Sequence, residues 1–296
     1  MDECPPQTPL FTFGVIADIQ YADLDDGYNF TRTRRRYYRS SLQLLRKAQE
    51  SWSESAVRPD FILQLGDIID GFNKGHATSQ RALDTVLREF SSSPVEVHHV
   101  WGNHEFYNFS RSALLRSQLN STPHTDGSQS GAPAGGEIYA YQFSPFPGFR
   151  FVVLDAYDVS LLGREQSSGQ YGDALTLISQ HNNNEDLNCP PGHLPVHPRS
   201  TEPICLAWNF DELLAIISSH SSVVCFMAGH DHDGGYYQDK DTGVHHLTLE
   251  GVIETPPNGN AFGTVSVYED KMVLKGNGRI RDRVFLFPCQ SDTDHS

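Results

Sequence analysis

Four apolar runs in this chain end in the same way. "FTFGVIA" (11–17) runs into Asp18-Ile19-Gln20, "FILQL" (61–65) into "GDIID" (66–70), "VEVHHVW" (95–101) into "GNHE" (102–105), and the run at 223–229 into "GHDH" (229–232). Each run has the length of a buried strand, and each stops at a cluster of carboxylate, amide or imidazole side chains. Helical spacing fills the intervals between the first three. Tyr38, Leu42, Leu45, Ala48 and Trp52 share one face of a helix over 33–52, and Leu83, Val86, Leu87 and Phe90 mark a second. Strand, helix, strand, helix, strand predicts a parallel sheet with right-handed crossovers. In such a sheet ligands bind beyond the carboxyl ends of the strands, so four polar clusters are expected to meet on one edge.

The rest of the chain adds strands more than helices. "FRFVVLD" (149–155) reads as a fourth strand after a Gly/Pro/Ser-rich loop at 121–136. A helix near 210–219 carries Phe210, Leu213, Leu214 and Ile217, and the segments "GVHHLTLEG", "GTVSVY" and "KMVLKG" read as further strands. No composition break or repeat marks a linker, so one domain over 1–296 with two packed sheets is expected. The formal net charge is −15, which argues against a nucleic-acid partner, since that needs a basic face. No apolar run has membrane-spanning length, and the N-terminal "MDECPPQTPL" lacks the basic and apolar regions of a signal peptide. Five cysteines, without C-x-x-C spacing, read as thiols of a reducing compartment. A cytoplasmic monomer acting on small molecules is the expectation.

The polar clusters have the chemistry of a two-cation site. Asp18 and Gln20 alternate with Ile19, so pleated backbone would send both side chains to one side. Asp67 follows a glycine and carries a carboxylate able to bridge two ions; Asn103 offers a neutral oxygen; His230 and His232 present two imidazoles. Taken singly, D-x-Q is more often a turn, G-D-x-x-D a helix cap and H-x-H a solvated pair. Their ordered recurrence at strand ends is the specific signal. A bound polyvalent cation would also overturn the negative field locally, as an anionic substrate requires.

This ordered set resembles the calcineurin-like metallophosphoesterases, whose blocks run D-x-H, G-D-x-x-D, G-N-H-[DE], a lone His and G-H-x-H. With "RRRYYR", "LQLGDIIDG", "WGNHEFYNFSR", "CLAWN", "GHDHDGG" and "LEGVIET", it looks like the manganese-dependent ADP-ribose/CDP-alcohol diphosphatase subfamily over nearly the whole chain. The resemblance implies a four-layer αββα sandwich with two mixed sheets. It also implies a hydrolase that splits nucleoside diphosphate compounds such as ADP-ribose or CDP-choline into a nucleoside monophosphate and a phosphorylated partner. The cofactor implied is two Mn²⁺ ions, with Mg²⁺ as a substitute. One ion would be held by Asp18, Gln20, Asp67 and His232, the other by Asp67, Asn103, the lone His and His230. His104 would be the general acid, with Asp70 either orienting it or capping the following turn. The departure is Gln20, where the family has an imidazole; a hard amide oxygen tilts the site toward Mn²⁺.

The lone His is matched by His193 in "GHLP", yet no apolar strand precedes it. A short helical pattern at 174–178 is all that separates it from the fourth strand, so one strand–helix unit is expected to be missing before residue 193, with His197 as a fallback ligand. A shortened chain could be a weak or inactive, metal-poor binding module. Within the enzyme class, a cyclic-nucleotide phosphodiesterase or phosphoprotein phosphatase is the alternative. Phe30, Tyr28 and Tyr107 follow the site loops and could stack on a nucleobase, and Cys205 could line the same pocket; packing is the plainer role for each. The arginines at 32–39 read as a solvated helix start, or as a source of one guanidinium near substrate phosphates. At least one of His98 and His99 is expected in the core.

Overall fold

The computed structural model describes residues 7–29, 31–124, 138–181 and 194–288. In chain order the elements begin with β1 (Phe11–Ile16), the short β2 (Gly27–Tyr28) and β3 (Arg35–Arg36), α1 (Tyr38–Glu54) and β4 (Phe61–Gln64). There follow α2 (Phe72–Gly75), α3 (Ser79–Phe90), β5 (Glu96–His99), α4 (Asn103–Asn108), α5 (Arg111–Leu115), β6 (Tyr141–Phe146), β7 (Phe149–Val153) and α6 (Gly169–His181). The chain closes with α7 (Phe210–Ser218), β8 (Cys225–Ala228), β9 (Gly235–Gln238), β10 (His245–Thr248), β11 (Ala261–Val267), β12 (Lys271–Gly278) and β13 (Arg283–Leu286).

The principal sheet is six-stranded, in the order β13-β12-β11-β1-β4-β5. β1 pairs parallel with β4 and antiparallel with β11, and β4 pairs parallel with β5, so the parallel half read from the sequence continues into an antiparallel half. Every residue of β1 is buried, as a strand covered on both faces requires. Its alternate residues serve different layers. Trp52 of α1 covers Gly14, where a Cβ would lie 2.8 Å from the indole, and donates its Nε1–H to the Gly263 carbonyl at 3.3 Å. Phe11 and Phe13 face the opposite way, into aromatic packing with Phe61, Phe149 and Phe151. Phe61 is its hub, with Phe13, Phe143 and Phe151 all about it at centroid distances of 5.3–5.4 Å.

The second layer consists of two ladders rather than one sheet. β6 and β7 form an antiparallel pair, and β8-β10-β9 a three-stranded sheet with β8 parallel to β10. Among the described residues β7 and β8 each have a partner on one side only. Val152 and Leu154, at the end of β7, are 61% and 48% exposed. Among the described residues no further strand joins these edges. Residues 182–193, on which the expectation of a missing unit partly falls, lie outside the described residues. Three local expectations need correction. β6 was not expected. α6 spans 169–181, longer than the pattern at 174–178. The first helix begins at Tyr38 rather than 33, because Arg35 and Arg36 pair with Gly27 and Tyr28 in a small hairpin. Both His98 and His99 are buried; His98 stacks on Phe143 at 3.6 Å.

Phe61→Ala should cost about 3–5 kcal/mol of stability, whereas Val284→Ala, on the exposed face of β13, should shift it little; denaturant unfolding of both variants checks the contrast.

Candidate metal centre

The strand ends turn sharply, and they do so at the polar residues. Asp18, Gln20, Asp67 and His230 all have positive φ (53°, 43°, 55° and 76°), as does Gly66 at 101°. Left-handed backbone at a non-glycine residue costs on the order of 1–3 kcal/mol and persists only where surrounding contacts enforce it. Here the loops are laced together. The Asp18 N–H donates to the Gly66 carbonyl (3.1 Å), the Gln20 N–H to the Asp67 carbonyl (2.9 Å), and the His230 N–H to Asp18 Oδ2 (3.0 Å). The pleat expected to send Asp18 and Gln20 to one side is absent, since β1 ends at Ile16. The two side chains converge through turns instead, and Ile19 between them is buried.

The side chains meet around His232. Its Nδ1 lies 3.0 Å from Glu254 Oε1, and a carboxylate can only accept, so Nδ1 carries a proton. Its Nε2 faces Asp18 Oδ1 at 3.2 Å and the Gln20 amide at 3.0 Å. An imidazole lone pair turned on a carboxylate oxygen calls for a cation between them. The side chains taken alone answer with a proton: burial would lower the His232 pKa, but Asp18 and Glu254 outweigh it and raise it to about 9. The Gln20 amide also reaches Asp67 Oδ2 at 3.2 Å, while its Oε1 is buried with no hydrogen-bond partner. Rotating the amide exchanges the two atoms and sets an oxygen among Asp67 and His232. The donor set therefore fits a hard divalent cation. Without the amides the cluster does not close: no group of three His, Cys, Asp or Glu side chains among the described residues could hold an ion by itself.

Asp67 is the hub. Its Oδ1 accepts the His104 N–H at 2.8 Å. Gly102 is required here, because a Cβ at that position would lie 2.1 Å from Asp67 Oδ1. Glu105, to which the sequence reading gave no role, ties the two loops together from below. Its buried carboxylate accepts the N–H groups of Gly102 (2.6 Å), Ile68 (2.7 Å) and Asp67 (2.9 Å). Burial, and next the charge of Asp67, push its pKa up to about 8. Glu254 was missed for a related reason, since a carboxylate 22 residues from the histidine it supports has no spacing signal.

His104 lies at the rim. Its Nδ1 accepts the Gly71 N–H at 2.8 Å, so the neutral ring carries its proton on Nε2, 3.9 Å from Asp67 Oδ2. Of the two roles considered for Asp70, capping is the one seen: Oδ1 accepts the Phe72 N–H at 2.8 Å, while Oδ2 stands 3.4 Å from His104 Nδ1, a nitrogen that already accepts the Gly71 N–H. Tyr107 packs edge-on against His104 at 5.2 Å and is partly exposed. Cys205 is half-buried within electrostatic reach of Asp231 and Asp18, its thiol pushed up to about 12, chiefly by burial. Arg36 lies 3.8 Å from Asp70 and 3.7 Å from Glu254, while Arg34, Arg35 and Arg39 pair with surface aspartates. Asn103 is buried beneath the Tyr157 hydroxyl, 3.4 Å away. Phe30 and His193 lie outside the described residues. The fallback His197 is not at the centre. It stacks on Tyr237 (4.3 Å) and His246 (4.8 Å), and its Nδ1 accepts the Arg199 N–H.

Loops bearing carboxylates, an amide and an imidazole that meet at the end of a mixed sheet define a class, and the comparison with known families agrees. The calcineurin-like phosphoesterase model matches residues 11–234, and the chain belongs to that family. It is 49% identical to the manganese-dependent ADP-ribose/CDP-alcohol diphosphatase of Danio rerio, with 95% of this chain and 99% of that protein aligned. It is 46% identical to the protein of that name from Homo sapiens (94% and 93%). A crystal structure of a dimetal phosphatase from Danio rerio superposes with a TM-score of 0.87 at 49% identity, covering 95% of this chain and all of that one. A purple acid phosphatase from yellow lupin, at 15% identity and TM-score 0.50 over 95% of this chain and 53% of that one, shares the fold alone. The first alignment runs over 323 positions, of which 95% of 296 residues fills about 281. About forty positions therefore have no counterpart in this chain.

Gly102→Ala should displace Asp67 and abolish Mn²⁺ uptake, read by calorimetric titration. A second expectation concerns pH. Groups whose folded pKa is raised stabilise the fold below their unfolded value and lose that contribution as pH climbs through the folded one. For His232 the window runs from 6.5 to about 9, and Glu105 acts with the same sign up to about 8. Protein treated with EDTA should melt at progressively lower temperature from pH 6.5 to 9, and Mn²⁺ should reverse the trend; differential scanning fluorimetry across that range measures it.

Proposed function

We propose that this chain is a manganese-dependent hydrolase of the diphosphate bond in ADP-ribose, CDP-alcohols and related nucleoside diphosphate compounds, releasing a nucleoside monophosphate and a phosphorylated partner. The observation that carries the reading is the meeting of Asp18, Gln20, Asp67 and His232 within 3.0–3.2 Å contacts, with the protonated Nε2 of His104 at their rim. The relatives that share about half of its residues across almost the whole chain bear that activity in their names.

In this reading Asp18, Gln20, Asp67 and His232 hold one cation, and Asp67, Asn103 and His230 contribute to a second, with His193 as its remaining ligand by resemblance. The cations, when bound, supply Lewis acidity and charge neutralisation at the diphosphate. Two carboxylates against two dications leave about two positive charges, enough to draw an anionic substrate to a chain of net charge −15. His104 then acts as general acid. It does so from the imidazolium form, with Asp70 Oδ2 3.4 Å from Nδ1 as counter-charge and the Gly71 N–H released from Nδ1; Nε2 gives its proton to the leaving oxygen and the ring is left neutral, its remaining proton on Nδ1. Tyr107 and the cleft of about 500 Å³ lined by Tyr28, Asn29 and Arg32 provide surfaces for the nucleoside. The chain is expected to act as a monomer. The free thiols Cys205 and Cys225 suit the reducing cytoplasm expected from the cysteine pattern.

The unpaired edges of β7 and β8 favour a second reading, in which the shortened chain holds only one cation tightly and turns over slowly. Mn²⁺ stoichiometry separates the two: two ions per chain support the full hydrolase, one the impaired form. In an assay of ADP-ribose and CDP-choline with Mn²⁺, Asp67→Ala should remove activity and metal binding together. His104→Ala should lower kcat by about 10²–10⁴-fold while Mn²⁺ still binds. Loss of metal uptake in the latter would show His104 to be part of the ligand shell instead.

A further inference from the structure

We propose that Tyr157 is a positioning residue for Asn103: its phenol sets the amide so that the carbonyl oxygen is presented to the second cation. The inference rests on the two-cation reading above and concerns the side chain on which that second ion most depends, since Asp67, Asn103 and His230 are its ligands among the described residues.

Tyr157 is wholly buried, and a buried phenol hydroxyl needs a partner. The partner is Asn103 Oδ1 at 3.4 Å. The hydroxyl donates to the oxygen end of the amide. An amide oxygen has two lone pairs, so one can accept the phenol while the other faces the ion. The ring is equally constrained. It packs against Phe106 at 4.8 Å, on the same short helix as Asn103.

The Tyr157 backbone is gripped on both sides. Its N–H donates to Asp155 Oδ1 (3.0 Å), and its carbonyl accepts from Arg111 Nη2 (2.6 Å). Arg111 and Asp155 are themselves a buried pair at 2.5 Å, and Asp155 Oδ2 also accepts the Tyr139 N–H at 2.9 Å. Arg111 lies over the Phe106 ring at 5.0 Å. A buried ion pair contributes little net stability once its desolvation is counted. Here it has a geometric purpose: it locks the strut that ends at Asn103. The segment "LDAYD" (154–158) thereby acquires a role that spacing alone did not disclose.

Tyr157→Phe keeps the ring and removes only the hydroxyl. Isothermal titration with Mn²⁺, with free ion counted by electron paramagnetic resonance, should show the first ion bound as in the wild type and the second weakened by about 10–100-fold. The melting temperature of the EDTA-treated variant should stay within a few degrees of the wild type. In an Asn103→Ala background, Tyr157→Phe should have no further effect on the second ion, because the two changes remove the same interaction. Equal weakening in both backgrounds would show a general packing effect and overturn the proposal. Two ions bound with unaltered affinity in Tyr157→Phe would overturn the positioning role and leave the two-cation reading intact. A wild-type chain that takes up a single Mn²⁺ would overturn that reading, and this inference with it.

Discussion

Asp67 holds the architecture of the site together. It is buried, and its two oxygens reach different loops: Oδ1 accepts the His104 N–H, and Oδ2 lies beside the Gln20 amide. Buried carboxylates are costly unless donors or cations compensate them. Asp18, Asp67 and Glu105 are three such groups within one neighbourhood. Glu105 is satisfied by three backbone N–H groups, and Asp18 and Asp67 are the carboxylates whose charge a divalent cation would neutralise. The raised pKa of His232, set by Asp18 and Glu254, expresses the same demand for positive charge.

Holding these charges together requires a stiff frame. The aromatic cluster around Phe61 and the Trp52–Gly14 contact fix β1 and β4 relative to their neighbours, and the loops that leave those strands inherit that rigidity. Left-handed backbone at Asp18, Gln20, Asp67 and His230 is strain stored where the ligands need it. Interloop hydrogen bonds offset it, and the single Cβ-free position at Gly102 lets the Asp67 carboxylate approach the following loop.

Much of this was legible in the sequence. The apolar runs located β1, β4, β5 and β8 to within a few residues; β1 and β4, buried along their whole length, have the plainest compositional signature. The ordered polar clusters identified Asp18, Gln20, Asp67 and His232, and the structure brings those four together. Three things were hidden. The mechanism of convergence was one, because φ at Asp18 and Gln20 has no sequence mark. The supporting carboxylates Glu105, Asp155 and Glu254 were another, since each, beside any local bond, also reaches a group far away in the sequence: Glu105 the Asp67 and Ile68 N–H groups, Asp155 the Arg111 guanidinium, and Glu254 the His232 ring. The third was the division of the second layer into two ladders, which depends on which strand edges find partners. The expected absence of a strand before residue 193 anticipated it only in part.

The central claim is that Asp67 lies against bound metal. Diffraction from crystals soaked in Mn²⁺, collected at the manganese absorption edge, tests it most directly. The account predicts two anomalous peaks on either side of the Asp67 carboxylate, about 3.5–4 Å apart. A map with no anomalous peak touching Asp67 would contradict it.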